Sequence, residues 1–166
     1  MTIKSTEAHV LALHKAGRLV HYDRDLWPDD TCFRRLWLHP NVQKWANSTG
    51  DTAKERDYFA KVRAFFSQFV GGADFDDDDM LKTLSQGKHG LWEFRITFQP
   101  QARVVGGFLR PGEFVALSFA DRADLDAAGF GPIIKVVRSR WDSMFPHQKP
   151  LMEPRTNLLR EFEDGL

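Results

Sequence analysis

The chain has 166 residues, of which 42% are hydrophobic and 13% aromatic, a composition typical of one domain with a buried core. Lysine plus arginine and aspartate plus glutamate balance at 23 each, so net charge gives no general attraction to nucleic acid or membrane. Cys32 is the one cysteine, which excludes an internal disulfide and favours a reducing compartment.

The first residues contain a short apolar patch that His9 and His14 interrupt, which is not typical of a signal peptide. No stretch approaches the roughly 20 apolar residues that span a bilayer. We therefore expect a soluble cytoplasmic protein with no membrane partner.

Residues 1–50 predict a helical extension. TEAHVLALHKAG is typical of a helix that closes on Gly17, and RLVHYD of a short strand. PDDTCFRRLWLHP predicts a second helix, because Phe33, Leu36 and Trp37 fall on one helical face before Pro40.

The clearest helix begins at Thr52, whose spacing to Glu55 is that of a capping box, and it ends at Gly71. Its apolar side chains recur at helical spacing: Tyr58, Phe59, Val62, Phe65, Phe66, Phe69 and Val70. This stripe predicts packing against a sheet, with a ligand-stacking platform as the alternative.

An aspartate-rich run, ADFDDDD, extends from Asp74 to Asp79. Like charges at this density repel one another, which predicts a solvated loop. A calcium loop is the alternative, although the alternating ligands, glycine turn and later glutamate that it needs are missing. MLKTLSQ then predicts a brief apolar turn.

Residues 90–122 predict consecutive strands. The apolar positions are Leu91, Trp92, Phe94 and Ile96 in the first, Val104, Val105, Phe108 and Leu109 in the second, and Phe114, Val115, Leu117 and Phe119 in the third. Pro111 and Gly112 suit the centre of a type II turn, so the second and third strands should form a tight hairpin. Gly106 and Gly107 inside a strand indicate a bulge or a close backbone approach.

A further helix is predicted from Gly131-Pro132, and a last short one from NLLREF in the tail. The expected fold class is α+β: a small antiparallel sheet of three to four strands packed against the 52–70 helix and the helices after residue 124. We expect residues 1–166 to form a single domain, with a helical extension over 1–50, a core over 52–145 and a tail over 146–166.

The order of elements resembles the RelE/ParE/HigB superfamily of toxin-antitoxin toxins, including its phage-encoded relatives. The likeness covers about residues 52–145 and depends on the LWEFRI strand, the ARVVGGF strand, the hairpin and EFVALSFADR before a closing helix. The resemblance implies a ribosome-dependent messenger RNA endoribonuclease that a small antitoxin protein inhibits. It also implies the ribosome and messenger RNA as partners.

Metal-free RNA cleavage asks a ribose 2′-hydroxyl to attack the adjacent phosphate, so a site must neutralise charge on the phosphorane oxygens and move protons. By resemblance, Arg103 is the expected phosphate-binding residue, Arg122 stabilises the transition state and Arg95 orients the RNA strand. His89, just ahead of the first strand, has a side chain suited to acid or base work near neutral pH, and His147 in the tail is a further option. No cofactor is expected.

Each of these residues has a structural alternative. Arg95 and Glu93 lie on the same face of one strand, where they would form an exposed charge pair. Arg110 at the turn is expected to be solvated. Any of the histidines can serve a structural or solvent-exposed role.

A basic segment in the closing helix adds candidate contacts to nucleic acid. Between residues 131 and 150 the basic residues are Lys135, Arg138, Arg140 and Lys149, opposed only by Asp142. With Lys88, we expect Lys135, Arg138 and Arg140 to follow RNA phosphates. His9, His14, His21 and His39 lack the helical pairing with a carboxylate that a zinc site favours, so we expect no metal site.

A second function remains open. The acidic ADRADLD loop, the zero net charge and the absence of a tyrosine after Tyr58 favour a non-catalytic phage- or prophage-derived protein that uses the same scaffold for protein binding. The aligned arginines favour the toxin.

Overall fold

The computed structural model describes residues 2–22 and 32–163. The elements in chain order are α1 (Ile3–Lys15), β1 (Val20–His21), β2 (Arg35–Leu38), α2 (Pro40–Ala46), α3 (Ala53–Val70), β3 (Leu81–Thr83), β4 (Leu91–Ile96), β5 (Ala102–Arg110), β6 (Glu113–Asp121), α4 (Arg122–Ala128), α5 (Gly131–Met144) and α6 (Arg155–Leu158). A single 3₁₀ turn, Ser85–Gly87, lies between β3 and β4. None of the described helices is long and apolar enough to cross a membrane.

The strands form one six-stranded sheet in the order β1-β2-β6-β5-β4-β3. The α+β class is confirmed, but the sheet has more than the three to four strands predicted and is mixed instead of wholly antiparallel, since β2 runs parallel to β6. Three strands lie outside the predicted sheet. Two of them, β1 and β2, come from the predicted helical extension, where β1 falls within the short strand expected in RLVHYD. The third, β3, comes from MLKTLSQ, where a brief turn was predicted.

The prediction of a helix around residues 33–37 was wrong. Its first residues, up to position 31, lie outside the described part of the chain. Residues Arg35–Leu38 form β2, and the prolyl residue expected to end a helix, Pro40, instead begins α2. A strand covered on both faces is almost continuously apolar, so its pattern is easily taken for a helix.

Helix α3 forms as predicted. The Thr52 side chain accepts a hydrogen bond from the Glu55 amide at 3.1 Å, which is the expected cap. Its aromatic stripe is buried against Leu36, Phe94 and other side chains on one face of the sheet, together with residues of α2. The stripe is therefore core.

The opposite face of the sheet is covered as well. Side chains from α1, α4 and α5, including Val10, Leu125 and Trp141, pack there on Val105 and Val115. Successive residues of each strand alternate between the two cores, as the pleat requires. The sheet therefore lies between two layers of helices.

The β5–β6 hairpin closes at Gly112, whose φ of 74° suits the predicted turn. The predicted irregularity at Gly106 is confirmed, because the register of the hairpin shifts between Val105 and Gly106. A β-carbon on Gly106 would lie 1.8 Å from the carbonyl oxygen of Val115, so only glycine allows this approach.

The predicted exposure of Arg110 was wrong. Its side chain is only 10% exposed and ion-pairs with Glu113, at 2.7 Å, and with Glu7 of α1. Arg35 pairs with the same Glu7 at 2.8 Å. These contacts tie α1 to the hairpin end of the sheet.

The C-terminal segment crosses the molecule as an irregular strap. The Leu151 amide donates to the Phe108 carbonyl, and the Gly112 amide donates to the Leu158 carbonyl. Arg155 reaches two aspartates of the acidic run, Asp76 and Asp78, each at 2.7 Å. The aspartates are exposed, which confirms the solvated loop.

Candidate functional site

Two of the predicted arginines flank one carboxylate on the face of the sheet that α4 and α5 cover. Glu93 of β4 lies 3.7 Å from the Nε atoms of both Arg95 and Arg103. Arg122, at the start of α4, also lowers the pKa of Glu93 through its charge. The alternation of β4 and the pairing of Arg95 with Arg103 across β4 and β5 explain why these side chains meet.

Burial dominates the electrostatics of this arginine cluster, which consists of Glu93, Arg95, Arg103 and Arg122. It raises the pKa of Glu93, although the neighbouring arginines oppose the shift, and it lowers the pKa of Arg103. Glu93 Oε2, Arg95 Nε and Arg103 Nε are buried without a hydrogen bond. The Glu93 carboxyl group therefore keeps its proton to a higher pH than an ordinary glutamate does.

Access to the arginine cluster is narrow. Arg103 is 2% exposed, and its Nη1 donates to the carbonyls of Ala102 at 3.0 Å and Ile96 at 3.4 Å. Arg122 is 38% exposed but pairs with Asp126 at 3.0 Å. The charge pair of Glu93 and Arg95 is not the exposed pair considered above, because Glu93 is 4% exposed.

Arg95 and Arg122 open onto different cavities. Arg95 lines a cavity of about 280 Å³ with Lys61 and Phe98. Arg122 lines another, of about 380 Å³, with Asp121 and Asp126. Neither of these two cavities is lined by both arginines, and the roles expected for the arginines stay predictions.

The remaining predicted catalytic residue, His89, lies in a separate cavity of about 240 Å³, the His89 cavity. Lys88, Arg138 and Lys149 line it beside His89, and Asp142 is the one carboxylate in its lining. Its apolar walls are Leu91, Trp141, Pro150 and Met152. Leu91 and Glu93 share a face of β4, so the cavity lies roughly 7 Å along the strand from the arginine cluster.

The sequence folds these groups together in three steps. Gly90, whose φ is 68°, turns the chain immediately before β4, and Lys88 and His89 come just before this turn. Helix α5 buries Trp141 against the sheet and so leaves Arg138 on its exposed flank. The strap then brings Lys149 across, where the Trp141 Nε1 donates to the Gln148 carbonyl at 2.7 Å.

The His89 imidazole is electrostatically disfavoured as a cation. Partial removal from water, then Arg138 and Lys88, lower its pKa below the ordinary 6.5. His89 is therefore largely neutral at pH 7 and able to accept a proton, while the cations around it attract an anion.

The predicted nucleic-acid contacts do not lie together. Lys88 and Arg138 lie in the His89 cavity, and Lys135 is exposed on α5. Arg140 donates to the Leu117 carbonyl at 2.6 Å and lines a cavity on the other flank of α5. The basic segment is therefore not one continuous patch.

The four N-terminal histidines all have structural partners. The His9 Nε2 bonds to the Met144 carbonyl at 2.5 Å, and the His14 Nδ1 bonds to the Leu19 carbonyl at 3.1 Å. His21 contacts the Trp37 ring, and His39 caps α2. Within residues 2–22 and 32–163, no three His, Cys, Asp or Glu side chains are grouped to hold a metal ion.

Sequence reasoning missed two features of the site. It treated Glu93 only as a surface partner of Arg95, although a glutamate within LWEFRI, between two apolar residues, was a signal for burial. It counted Lys149 in a basic segment without placing it beside Lys88, since the 60 residues between them carry no periodic signal for that contact.

The geometry must carry the functional argument by itself. No family model, no curated protein and no solved structure matches this chain.

Proposed function

We propose that the chain cleaves messenger RNA without a metal ion at the His89 cavity, as a RelE/HigB-like toxin that an antitoxin protein inhibits. The observation that carries the proposal is His89 itself, a histidine of lowered pKa beside Lys88, Arg138 and Lys149 in one cavity. This combination supplies a base and the cations that an RNA phosphate needs.

The proposed reaction is an internal transfer. Neutral His89 takes the proton of a ribose 2′-hydroxyl, whose oxygen attacks the adjacent phosphorus. The bond to the 5′-oxygen breaks, the phosphate becomes a 2′,3′-cyclic diester, and the leaving oxygen takes a proton from the imidazolium or water. Arg138, Lys88 and Lys149 stabilise the extra charge on the phosphorane oxygens.

The apolar wall of the cavity suits the neighbouring base. Trp141 is 1% exposed, but its edge joins Leu91 and Met152 in the lining, and Met152 is 64% exposed. Aromatic and apolar surface beside cations is the usual combination for single-stranded RNA.

Growth arrest and RNA cleavage test the proposal together. We expect induction of the parent chain in a bacterial host to stop growth, and ribosome-bound messenger RNA to be cut in vitro. His89→Ala should abolish both, whereas His147→Ala, at an exposed histidine outside every described cavity, should retain both. Cleavage that survives His89→Ala would exclude His89 as the base.

The pH dependence gives a second readout. Because the base must be neutral and its pKa lies below 6.5, the cleavage rate should fall only as the pH drops through that lowered value. A rate that still rises steeply above pH 7 would contradict this assignment.

A second candidate, a non-catalytic protein-binding role, is favoured by one observation. Arg103, the residue expected to grip phosphate, is 2% exposed under helices that cover its sheet face. If the parent neither arrests growth nor cuts RNA, and a phosphorylated oligonucleotide does not bind, this role replaces the first. Arg103→Ala should then alter stability alone.

A further inference from the structure

A second cavity lies on the opposite flank of α5 from the His89 cavity. It has a volume of about 450 Å³ and is lined by Arg18, His39, Ser139, Arg140 and Ser143, among others. No carboxylate belongs to its lining. We call it the α5 flank cavity.

Its two arginines have no ionic partner among residues 2–22 and 32–163. Arg18 Nη2 donates to the Ser143 hydroxyl at 2.9 Å, and Arg140 Nη1 donates to the Leu117 carbonyl at 2.6 Å. Partial burial lowers the pKa of Arg140, so this cation lies in a poorly hydrated position without a counter-ion.

His39 presents a further donor. Its Nδ1 accepts the Asn41 amide at 3.1 Å, which places the proton of the neutral ring on Nε2. Two guanidinium groups, an imidazole N–H and two serine hydroxyls therefore border one cavity, and this donor set suits the oxygens of a phosphate.

The fold builds this cavity from separate parts of the chain. Leu117 lies at the register shift of the hairpin, where its carbonyl is available to Arg140. The end of α1 brings Arg18 to α5, and the same contact is secured by the bond of His9 to the Met144 carbonyl. Packing of α1, α5 and β6 therefore holds these donor groups in place.

We propose that the α5 flank cavity holds a second phosphate of the RNA strand whose scissile phosphate occupies the His89 cavity. This inference rests on the proposed function. Arg138 and Arg140 are two residues apart, so the geometry of a helix points them to opposite flanks of α5. A helix is about 10–12 Å across, so one phosphate cannot occupy both cavities, whereas a strand of several nucleotides can reach both.

The ridge between the two cavities is compatible with such a path. It carries Ser139 and Ser143, both exposed, and Lys135 further along α5. Asp142 is the one acidic side chain that α5 contributes. A strand that crosses here meets hydroxyl groups and cations for most of its length.

Binding of uncleavable 2′-O-methyl oligonucleotides tests the inference separately from catalysis. Labelled hexanucleotides and dinucleotides are titrated by fluorescence anisotropy against the parent, Arg18→Ala and Arg140→Ala. The matched control is Arg56→Ala, an exposed arginine at the start of α3 that lines neither cavity. Circular dichroism checks that each variant is folded.

We expect each cavity variant to weaken the hexanucleotide about tenfold and to change the dinucleotide by less than about twofold. The slope of log K against log salt should fall by roughly 0.7 for each lost phosphate contact. Arg56→Ala should change neither quantity. If Arg140→Ala fails to fold without its bond to Leu117, Arg18→Ala decides.

Three results would overturn the inference. The cavity variants could lose the same affinity for both oligonucleotide lengths, or lose no affinity for either. Inorganic phosphate could also bind as tightly as the hexanucleotide. The last would make the cavity a site for free phosphate. If the length-dependent loss is seen but RNA is not cut, the proposed function fails alone; if RNA is cut but the loss is absent, this inference fails alone.

Discussion

Removal of the Arg103 charge shows whether the arginine cluster stabilises the fold or acts on a substrate. Arg103→Met keeps much of the buried stem and deletes the guanidinium that lies 3.7 Å from Glu93. Glu93 then remains in a site where it is only 4% exposed. Unlike an arginine, this carboxyl group can escape the loss by taking a proton.

The expected cost therefore depends on pH. Burial raises the pKa of Glu93 above its ordinary 4.5, so the folded state holds the proton more tightly and the free energy of unfolding falls as the pH rises through that raised value. Loss of Arg103 raises the pKa further. Between the pKa of Glu93 in the parent and its higher pKa in the variant, the difference in unfolding free energy between the two proteins should grow by about 1.4 kcal/mol per pH unit.

The size of the effect follows from the geometry. Breaking a buried pair costs about 3–5 kcal/mol, and the long contact without a hydrogen bond places this pair near 3 kcal/mol. That energy corresponds to roughly two pH units. The cost of Arg103→Met should thus rise over about two units above the pKa of Glu93 and then level off.

Urea unfolding followed by circular dichroism at pH 5, 6, 7, 8 and 9 measures this difference. The matched comparison is Glu93→Gln against the double variant Glu93→Gln/Arg103→Met, whose difference should not change with pH. A cost of Arg103→Met that is constant with pH, or below about 1 kcal/mol, would refute the buried-pair argument. If an Arg103 variant no longer arrests growth, this indicates a catalytic role for Arg103 only when the variant loses little folding stability.

Three further changes test the fold. Gly106→Ala places a carbon 1.8 Å from a carbonyl oxygen of β6 and should lower the unfolding free energy by more than about 3 kcal/mol. Its control is Gly131→Ala, which meets no atom within 4 Å and should change the unfolding free energy by less than about 1 kcal/mol. Equal stabilities would contradict the close approach. Thr52→Ala removes the cap of α3 and should cost about 1 kcal/mol, or roughly 2–4 °C in Tm; an unchanged Tm would mean that the cap contributes nothing. Arg155→Ala removes two ion pairs with exposed aspartates and the bond from Nη1 to the Leu81 carbonyl, so it should cost about 1 kcal/mol, of which the ion-pair part disappears near 1 M salt. A loss that salt does not reduce would show that the ion pairs do not anchor the strap.

Elements whose signals are local could be predicted from the sequence. The cap at Thr52, the hairpin at Gly112 and the irregularity at Gly106 each depend on a few neighbouring residues, and each is present. Strand β2 could not be predicted in this way. Its central residues pack into opposite cores, Leu36 on the α3 side and Trp37 on the α5 side, so no polar face marks the alternation.

The candidate sites required the tertiary structure. Arg95 and Arg103 pair across β4 and β5, and nothing in their local sequence indicates which face of the sheet the helices predicted after residue 124 would bury. Arg103 lies close to the charges of Arg122 and Asp126 in α4, which follows the sheet in the chain and folds back over it, whereas Arg95 reaches the Asp78 carbonyl and lines a cavity with residues of α3. Charge spacing along a strand reports which face a residue occupies, and exposure depends on what covers that face.

Helix geometry explains why the basic segment of α5 divides as it does. At about 100° per residue, Arg138 and Arg140 point some 200° apart, so a run of cations that is continuous in sequence becomes two separate sets in space. Trp141, buried between them on the sheet side, fixes the rotation of the helix. Arg138 therefore lies with His89, and Arg140 lies with Arg18 and His39. Two cation sets on opposite sides of one helix suit a ligand with several phosphates better than a ligand with one, and this is the physical reason to test oligonucleotides of increasing length.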